Sequence, residues 1–236
     1  YQRYFEIAEE NYKKALAISE KEADDINVAA NCHQLGIIAL YQGDFITAEK
    51  WFKKSVDLAE KKGEERSVGA GYHQLGTIAQ QYGNFAVAER WFKKSLEIFK
   101  KRNEIHGITK NYHNLGLIEQ KQQNFVSAKE WYKKSLELSE EQKDEDVTAS
   151  TYNQLGEIAF LHGNYNSAAE WYLKAIAIFM RLDDPHNFTI VTKNFIEVFP
   201  NTDPEARTIL RQRWQQDGLD ELITLDQLEQ HLNENN

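Results

Sequence analysis

The sequence predicts an all-α fold of successive antiparallel helix pairs, and three observations support this. The pair Leu35-Gly36 recurs every 40 residues, at positions 75–76, 115–116 and 155–156. Within one interval Cys32, Leu35, Gly36 and Ala39 have the i, i+3, i+4, i+7 spacing of one α-helical face. Alternating strand patterns are nearly absent and the chain contains only three prolines, so the sequence gives little support for a sheet.

The second half of each interval carries a helical pattern of its own. Small and aromatic residues at 45, 48, 52, 55 and 59 again mark one face of a helix. Three positions of this half keep the 40-residue interval: Phe45, Phe85, Phe125 and Tyr165; Ala48, Ala88, Ala128 and Ala168; Trp51, Trp91, Trp131 and Trp171. The interval predicts an N-terminal half repeat at 1–28, consisting of a second helix only, and four units at 29–68, 69–108, 109–148 and 149–188.

A short turn separates the two helices of each unit. Gly43 and Gly83 suit the left-handed residue that ends a first helix, and Asp44 and Asn84 are good N-caps for the second helix. In the third unit Gln123 stands where the other units have glycine. We therefore expect a strained or differently closed turn there.

After the fourth unit the repeat pattern weakens. Residues 189–199 take the place of a fifth first helix, but Phe195-Ile196 replaces the Leu-Gly pair, which predicts a degenerate closing helix. Asp-Pro pairs at 184–185 and 203–204 indicate N-caps followed by first-turn prolines, and Pro200 ends a helix.

Residues 200–236 predict a further helical segment. Two helices are expected, broken near Gly218, with the second beginning at Thr224. Their apolar residues predict a cap on the last repeat or a docking segment, and self-association is the alternative.

The bulk composition limits the class of protein. A formal net charge of −9 argues against a nucleic-acid partner, and no apolar run approaches the length of a membrane span, so a membrane partner is not expected. Cys32 is the single cysteine, which fits a reducing cytoplasm and excludes an intramolecular disulfide. Because the chain begins with Tyr1 and its one methionine is Met180, we expect it to be a piece of a longer protein.

The repeated residues resemble the tetratricopeptide repeat over residues 1–199. The resemblance rests on small residues at Gly36 and Ala48, aromatics at Phe45 and Phe52, and the leucine before the glycine. The 40-residue unit is similar to the long repeats of kinesin light chains, LGN-type scaffolds and the sensor ends of bacterial NB-ARC/NACHT or MalT-type ATPases. It implies a right-handed α-solenoid, the tetratricopeptide superhelix, in which first helices line a concave groove and second helices form the convex back.

The same resemblance implies which residues look into the groove. A helical wheel that buries 32, 35, 36 and 39 turns 33 and 37 to a neighbouring face, and position 34 lies beside them. The predicted partner-binding residues are His33, Gln34, Ile37, His73, Gln74, Thr77, Lys110, His113, Asn114, Leu117, Asn153, Gln154, Glu157 and Lys193.

The histidines at 33, 73 and 113 have three interpretations: ligand contact, a shared metal, or ordinary half-buried side chains. A zinc ion needs three or four ligand atoms at about 2 Å, whereas packed helices lie roughly 8–10 Å apart, so a straight row cannot converge on one ion. We expect no metal and no cofactor.

The amides at 34, 74, 114 and 154 have two interpretations of equal weight. They either hydrogen-bond the backbone of an extended peptide or link neighbouring helices. For the tryptophans we expect packing between units, not an aromatic cage. The basic pairs that follow them are expected to lie on a solvated face with weak ion pairs.

Together these patterns predict a non-catalytic module that binds a protein or peptide segment. No phosphate loop, zinc-protease motif or nucleophile elbow is present, and Cys32 occupies a core position. Two alternatives are open: a sensor or autoinhibitory arm of a larger bacterial signalling ATPase or protease, whose groove meets other domains of its own chain, and a self-association module.

Overall fold

The computed structural model describes residues 2–221, 224, 225 and 227, and these residues form helices and turns without a strand. The α-helices are α1 Gln2–Lys21, α2 Asp25–Tyr41, α3 Phe45–Lys62, α4 Glu65–Gln81, α5 Phe85–Lys101, α6 Ile105–Lys121, α7 Phe125–Gln142, α8 Glu145–Leu161, α9 Tyr165–Arg181, α10 Pro185–Val198 and α11 Pro204–Gln216. Short 3-10 helices follow α10 at Phe199–Asn201 and α11 at Leu219–Glu221. The predicted all-α class is confirmed.

The chain divides into two compact units, 1–118 and 119–236, and the division falls within α6. In the first unit α1 packs on α2, α2 on α3, α3 on α4, and α4 on α5. In the second, α7 packs on α8, α8 on α9, and α9 on both α10 and α11. Within each compact unit, connections of two or three residues between helices up to α10 force consecutive helices to run antiparallel.

Within a repeat the two helices meet where a helical glycine faces an aromatic ring. A Cβ built on Gly36 would lie 2.8 Å from the Phe52 ring, and one built on Gly76 would lie 2.7 Å from the Phe92 ring. Both rings have 0% exposed surface. The missing side chain therefore lets the two helices approach closely in both repeats.

The helix pair also carries a buried polar link. The Ser55 hydroxyl donates to the carbonyl oxygen of Ala29 at 2.7 Å, and Ser95 donates to that of Gly69 at 2.8 Å. Because the hydroxyl belongs to the second helix and the carbonyl to the first, each bond fixes the pair in one register.

The turns inside the repeats close with a left-handed residue, as predicted. The Gly83 N–H donates to the Gln80 carbonyl at 2.9 Å, and the Asn84 side chain caps α5 by accepting from Val87 N–H. Gln123 adopts φ +64° and its N–H donates to the Gln120 carbonyl at the same 2.9 Å. The backbone turn is therefore closed in the same way, with a non-glycine residue in the left-handed region.

The cap of the third turn does differ. The Asn124 side chain makes no capping bond to α7, and its Nδ2 instead donates to Glu119 Oε2 at 3.0 Å. The expected anomaly at Gln123 is thus a positive φ at one residue and a lost side-chain cap at the next.

The helix boundaries near the prolines are as predicted. Asp184 caps α10 by accepting from Asn187 N–H at 3.0 Å, and Asp203 caps α11 by accepting from Ala206 N–H at 2.8 Å. The α-helix α10 ends at Val198, before Pro200.

The helix α11 buries Leu210 and Trp214 in the core formed with α9 and α10. Trp214 has 0% exposed surface and stacks on Phe195 with ring centroids 5.4 Å apart. Gly218, at φ +74°, follows the end of α11. Thr224 and Gln227 cap each other reciprocally, at the predicted start of the last helix, and residues 228–236 of that prediction lie outside the described residues.

Exchanging the turn residues of two repeats tests the strain at Gln123. Gln123→Gly is expected to raise the free energy of unfolding by about 0.5–1 kcal/mol, because glycine adopts positive φ without a Cβ penalty. The reciprocal Gly83→Gln is expected to lower it by a similar amount, since Gly83 has φ +70° and open space around its Cβ direction. Urea denaturation followed by circular dichroism measures both changes, and equal signs for the two variants contradict the strain.

The glycine-to-ring contact is tested by adding the missing methyl group. Gly76→Ala is expected to destabilise the chain by about 1–3 kcal/mol through overpacking, although alanine is otherwise the better helix former. Phe92→Leu removes the facing ring and serves as the partner variant. In a double-mutant cycle from urea midpoints, the double variant should lose less than the sum of the single losses, and strict additivity would refute the contact.

Candidate functional site

The predicted histidine column lies against the aromatic seam of each repeat. His33 meets the Phe52 ring edge-on at a centroid distance of 5.2 Å, and His73 meets Phe92 at 5.4 Å. His33, His73 and His113 are half-buried. Burial disfavours the charged imidazolium, so the pKa of His33 and His73 is lowered and that of His113 falls to about 4.

His73 has a structural partner in the neighbouring repeat. His73 Nδ1 lies 3.1 Å from Oδ1 of Asn111, a side chain with no exposed surface. The Asn111 amide nitrogen donates to Ser95 Oγ and to the Gly107 carbonyl. With both amide hydrogens used, Oδ1 is the acceptor, so His73 donates from Nδ1–H and its Nε2 is left as an acceptor in the neutral ring.

His33 lacks an equivalent of Asn111. The corresponding position holds Gly71, and within the described residues the His33 ring nitrogens have no hydrogen-bond partner. One ring nitrogen of His73 is thus used in a bond within the protein. Neither ring nitrogen of His33 is used by a described residue.

The amide column is unpaired throughout the described part of the chain. Gln34, Gln74, Asn114 and Gln154 are half-buried, and none makes a hydrogen bond to another described residue. The interpretation of these amides as links between helices is therefore wrong. Asn111 supplies such a link instead, and sequence reasoning missed it.

A pocket between α2 and α4 gathers two of the predicted residues. It has a volume of about 410 Å³ and combines His33 and Gln34 of α2 with Arg66, Ser67 and Ala70 of α4. Ser55 of α3 contributes to the lining. Arg66 was not among the predicted residues, and its guanidinium lies 3.2 Å from the Glu104 carboxylate.

Four other predicted residues of the first compact unit, residues 1–118, lie outside this pocket. Ile37 packs against a buried cluster shared by the first two repeats, and the Thr77 hydroxyl donates to the His73 carbonyl of its own helix at 3.2 Å. Lys110 and Leu117 are half-buried on α6. None of these four lines the pocket between α2 and α4.

In the second compact unit, residues 119–236, the predicted residues lie apart from one another. Glu157 lines a depression of about 430 Å³ with Gln120, Gln123 and Phe125. Asn153 accepts a long hydrogen bond from Asn194 at 3.4 Å, and Lys193 is exposed on α10. Asn153, Gln154 and Lys193 therefore do not line this depression.

The described residues contain no group of three histidine, cysteine, aspartate or glutamate side chains arranged for a metal ion. Cys32 is completely buried, as expected of a core position. Trp91 stacks on Tyr72 at 5.1 Å, and the Lys94 ammonium lies 4.8 Å from its ring centroid, so its surroundings are the chain's own side chains. In the part that the structure describes, no helix is both long and apolar enough to cross a membrane.

Comparison with known proteins identifies the repeat. The family model described as tetratricopeptide repeat matches residues 2–61, 29–101 and 108–181. The chain belongs to the tetratricopeptide repeat family. Tetratricopeptide repeats are interaction scaffolds, and the match indicates no catalytic family. The similarity of the 40-residue units to the long repeat variety stays a prediction. No curated protein matches the sequence.

Solved structures share the fold at low sequence identity. BtubC from P. vanneervenii superposes with a TM-score of 0.71 and 19% identity, over 93% of this chain and 92% of BtubC. A Rap protein complexed with Competence and Sporulation Factor gives 0.71 and 17%, over 100% of this chain and 73% of that protein. A STAND protein with a tetratricopeptide repeat sensor from Pyrococcus horikoshii gives 0.70 and 17%, over 85% of this chain but 32% of that protein.

The lowered pKa values of the buried histidines make the free energy of unfolding of this chain depend on pH. In the unfolded chain a histidine takes up a proton near pH 6.5, whereas folded His113 does so near pH 4. Above pH 6.5 both states are neutral, and as pH falls from about 6.5 towards 4 the unfolded state gains protons that the folded state rejects. Stability is expected to fall across that window, by up to about 1.4 kcal/mol per pH unit for His113. The urea midpoint at pH 7.5 and pH 5 measures the loss. His113→Gln should reduce it, and an unchanged pH dependence in that variant contradicts the assignment.

Proposed function

We propose that this tetratricopeptide chain binds an extended peptide or protein segment along its first helices, through the amide and histidine columns. The observation that carries the proposal is the unpaired amide column, with Gln34 placed beside His33 in the pocket between α2 and α4. A half-buried amide with unused donors and acceptors loses water contacts on folding, and a ligand backbone restores them.

The arrangement favours a peptide over a folded surface in two ways. Amides both donate and accept, so Gln34 and Gln74 can bond the peptide groups of an extended strand without demanding a sequence. The pocket of about 410 Å³ lies within the roughly 300–1,000 Å³ range of ligand sites and offers a place for a side chain. His33, with both ring nitrogens unused, supplies a donor or an acceptor there.

A sensor role is the second candidate, and the similar structures favour it. One similar protein is a Rap protein complexed with Competence and Sporulation Factor, and another is a STAND protein with a tetratricopeptide repeat sensor. In this form of the proposal the same face binds a signal peptide, or another domain of a longer chain, and the chain itself is non-catalytic. The flanking gene sequence distinguishes the two: an adjoining ATPase module supports the sensor and its absence supports a free-standing binder.

The binding face is tested with peptides selected from a displayed library of random 12-residue sequences. Peptides retained by the full chain are expected to lose about tenfold or more in affinity for the double variant Gln34→Ala, Gln74→Ala, because several backbone hydrogen bonds are lost together. Fluorescence anisotropy of labelled peptides measures the affinity.

The matched control is Lys54→Ala, an exposed residue of α3 outside the pocket between α2 and α4. It should leave the same peptides bound within about twofold. Circular dichroism should report equal helicity for all variants. If the double amide variant binds every selected peptide as the parent does, the first-helix face is not the binding site.

A further inference from the structure

Helix α7 breaks the charge pattern of the second helices that precede it. On α1, α3 and α5 a lysine is paired with the glutamate four residues earlier: Lys13 with Glu9 at 2.6 Å, Lys53 with Glu49 at 2.7 Å and Lys93 with Glu89 at 2.5 Å. On α7 the glutamate position holds Lys129, so Lys133 has lost this partner. Both lysines are exposed, and within the described residues neither forms an ion pair. The expectation of a face of ion pairs is therefore wrong at this position.

These two lysines line a pocket in the second compact unit, residues 119–236. The pocket has a volume of about 510 Å³ and lies among α7, α8 and α9. Besides the lysines its lining includes Leu155, Ala159, His162 and Trp171. The pocket thus combines an apolar lining with two adjacent cations in a chain whose formal net charge is −9.

His162 adds a directed polar group. Its Nδ1 lies 2.7 Å from the Ile158 carbonyl oxygen, which accepts only, so Nδ1 carries a hydrogen and donates. The ring meets Phe125 edge-on at 5.0 Å. With Nδ1 engaged and the ring held, Nε2 is the nitrogen that remains for a ligand.

The pocket is separate from the proposed groove face. On α8, Leu155, Ala159 and His162 share one stripe of the helical wheel. Asn153, from the amide and histidine face, lies about 200° from Leu155 at roughly 100° per residue. A ligand in this pocket therefore contacts α8 on the side opposite Asn153 and Glu157.

The positions 80 residues earlier, in the first compact unit, can be compared with those that line this pocket. There Glu49 and Lys53 form an ion pair, and Tyr82 stands where the second unit has His162. Leu75, Ala79 and Trp91 match Leu155, Ala159 and Trp171. The apolar positions are thus common to both units, and the unpaired cations and the imidazole are particular to the second.

We propose that this pocket is a second binding site, for an acidic peptide segment of a partner protein in which carboxylates flank an apolar side chain. The carboxylates bond the Lys129 and Lys133 ammonium groups, and the apolar side chain lies against Leu155, Ala159 and Trp171. Like charges at i and i+4 destabilise a helix. The unpaired lysines on α7 therefore carry a cost to folding that a bound acidic segment offsets.

The test restores the repeat pattern with a single substitution. Lys129→Glu places a glutamate four residues before Lys133, as on α3 and α5, so the fold should be as stable as the parent or more so while the site loses its charge. Lys50→Glu makes the same change in net charge at an exposed position of α3 and is the matched control.

Peptides are selected from a library of random 12-residue sequences on the full chain carrying Gln34→Ala and Gln74→Ala, which keeps the groove proposal out of the measurement. Retained peptides are expected to combine Asp or Glu with Leu, Ile, Phe or Trp. Their affinity for Lys129→Glu should fall by about tenfold or more, and for Lys50→Glu by less than about twofold. Raising the salt concentration from about 0.05 M to 0.5 M should weaken them as well.

Two results overturn the proposal. One is a selection in which no retained peptide combines acidic and apolar residues. The other is a set of acidic peptides that bind Lys129→Glu as tightly as the parent, with the thermal midpoint of the variant showing an intact fold. Neither result bears on the groove, which is judged by the amide variants alone.

Discussion

The structure depends on the contact between a helical glycine and an aromatic ring of the paired helix. At Gly156 a Cβ would lie 2.6 Å from the Tyr172 ring, as close as at Gly36 and Gly76, so no other residue fits without displacing the ring. The missing side chain lets the helix backbones approach, and the approach brings Ser55 Oγ to 2.7 Å from the Ala29 carbonyl. One steric requirement, met at Gly36, Gly76 and Gly156, thereby sets helix spacing and register together.

A fixed register turns a sequence interval into rows of side chains, so regular spacing alone carries no information about a ligand. His33 and His73 share the same place on their helices and the same edge-on contact with a ring. They differ because Asn111 accepts from His73, whereas Gly71 offers His33 nothing equivalent. Evidence for binding therefore comes from how equivalent residues of successive repeats differ, and from which of their polar atoms lack a hydrogen-bond partner among the described residues.

Much of the fold follows from local sequence chemistry, and the unpredicted parts depend on which residues of adjacent helices meet. Asp44 and Asn84 could be assigned as caps because a cap needs only its own helix. The link between His73 and Asn111 joins different repeats, and the helical wheel of one repeat does not contain it. The left-handed residues Ala23 and Asn103 were also missed, since no glycine marks those turns. The contribution of Arg66 to the pocket between α2 and α4 could not be predicted either.

Departures from the repeat are more informative than the repeat itself. A solenoid helix touches only its neighbours, so two of its faces stay accessible and are free to differ in chemistry. On α8 one face carries Asn153 and Glu157, and the opposite face carries Leu155 and His162. Leu155 belongs with Gly156 to the packing signature of the repeat, whereas that packing requires neither Asn153 nor His162. Two lysines at i and i+4, such as Lys129 and Lys133, repel each other on the helix that bears them, and this is the physical reason to connect them with a ligand and not with folding.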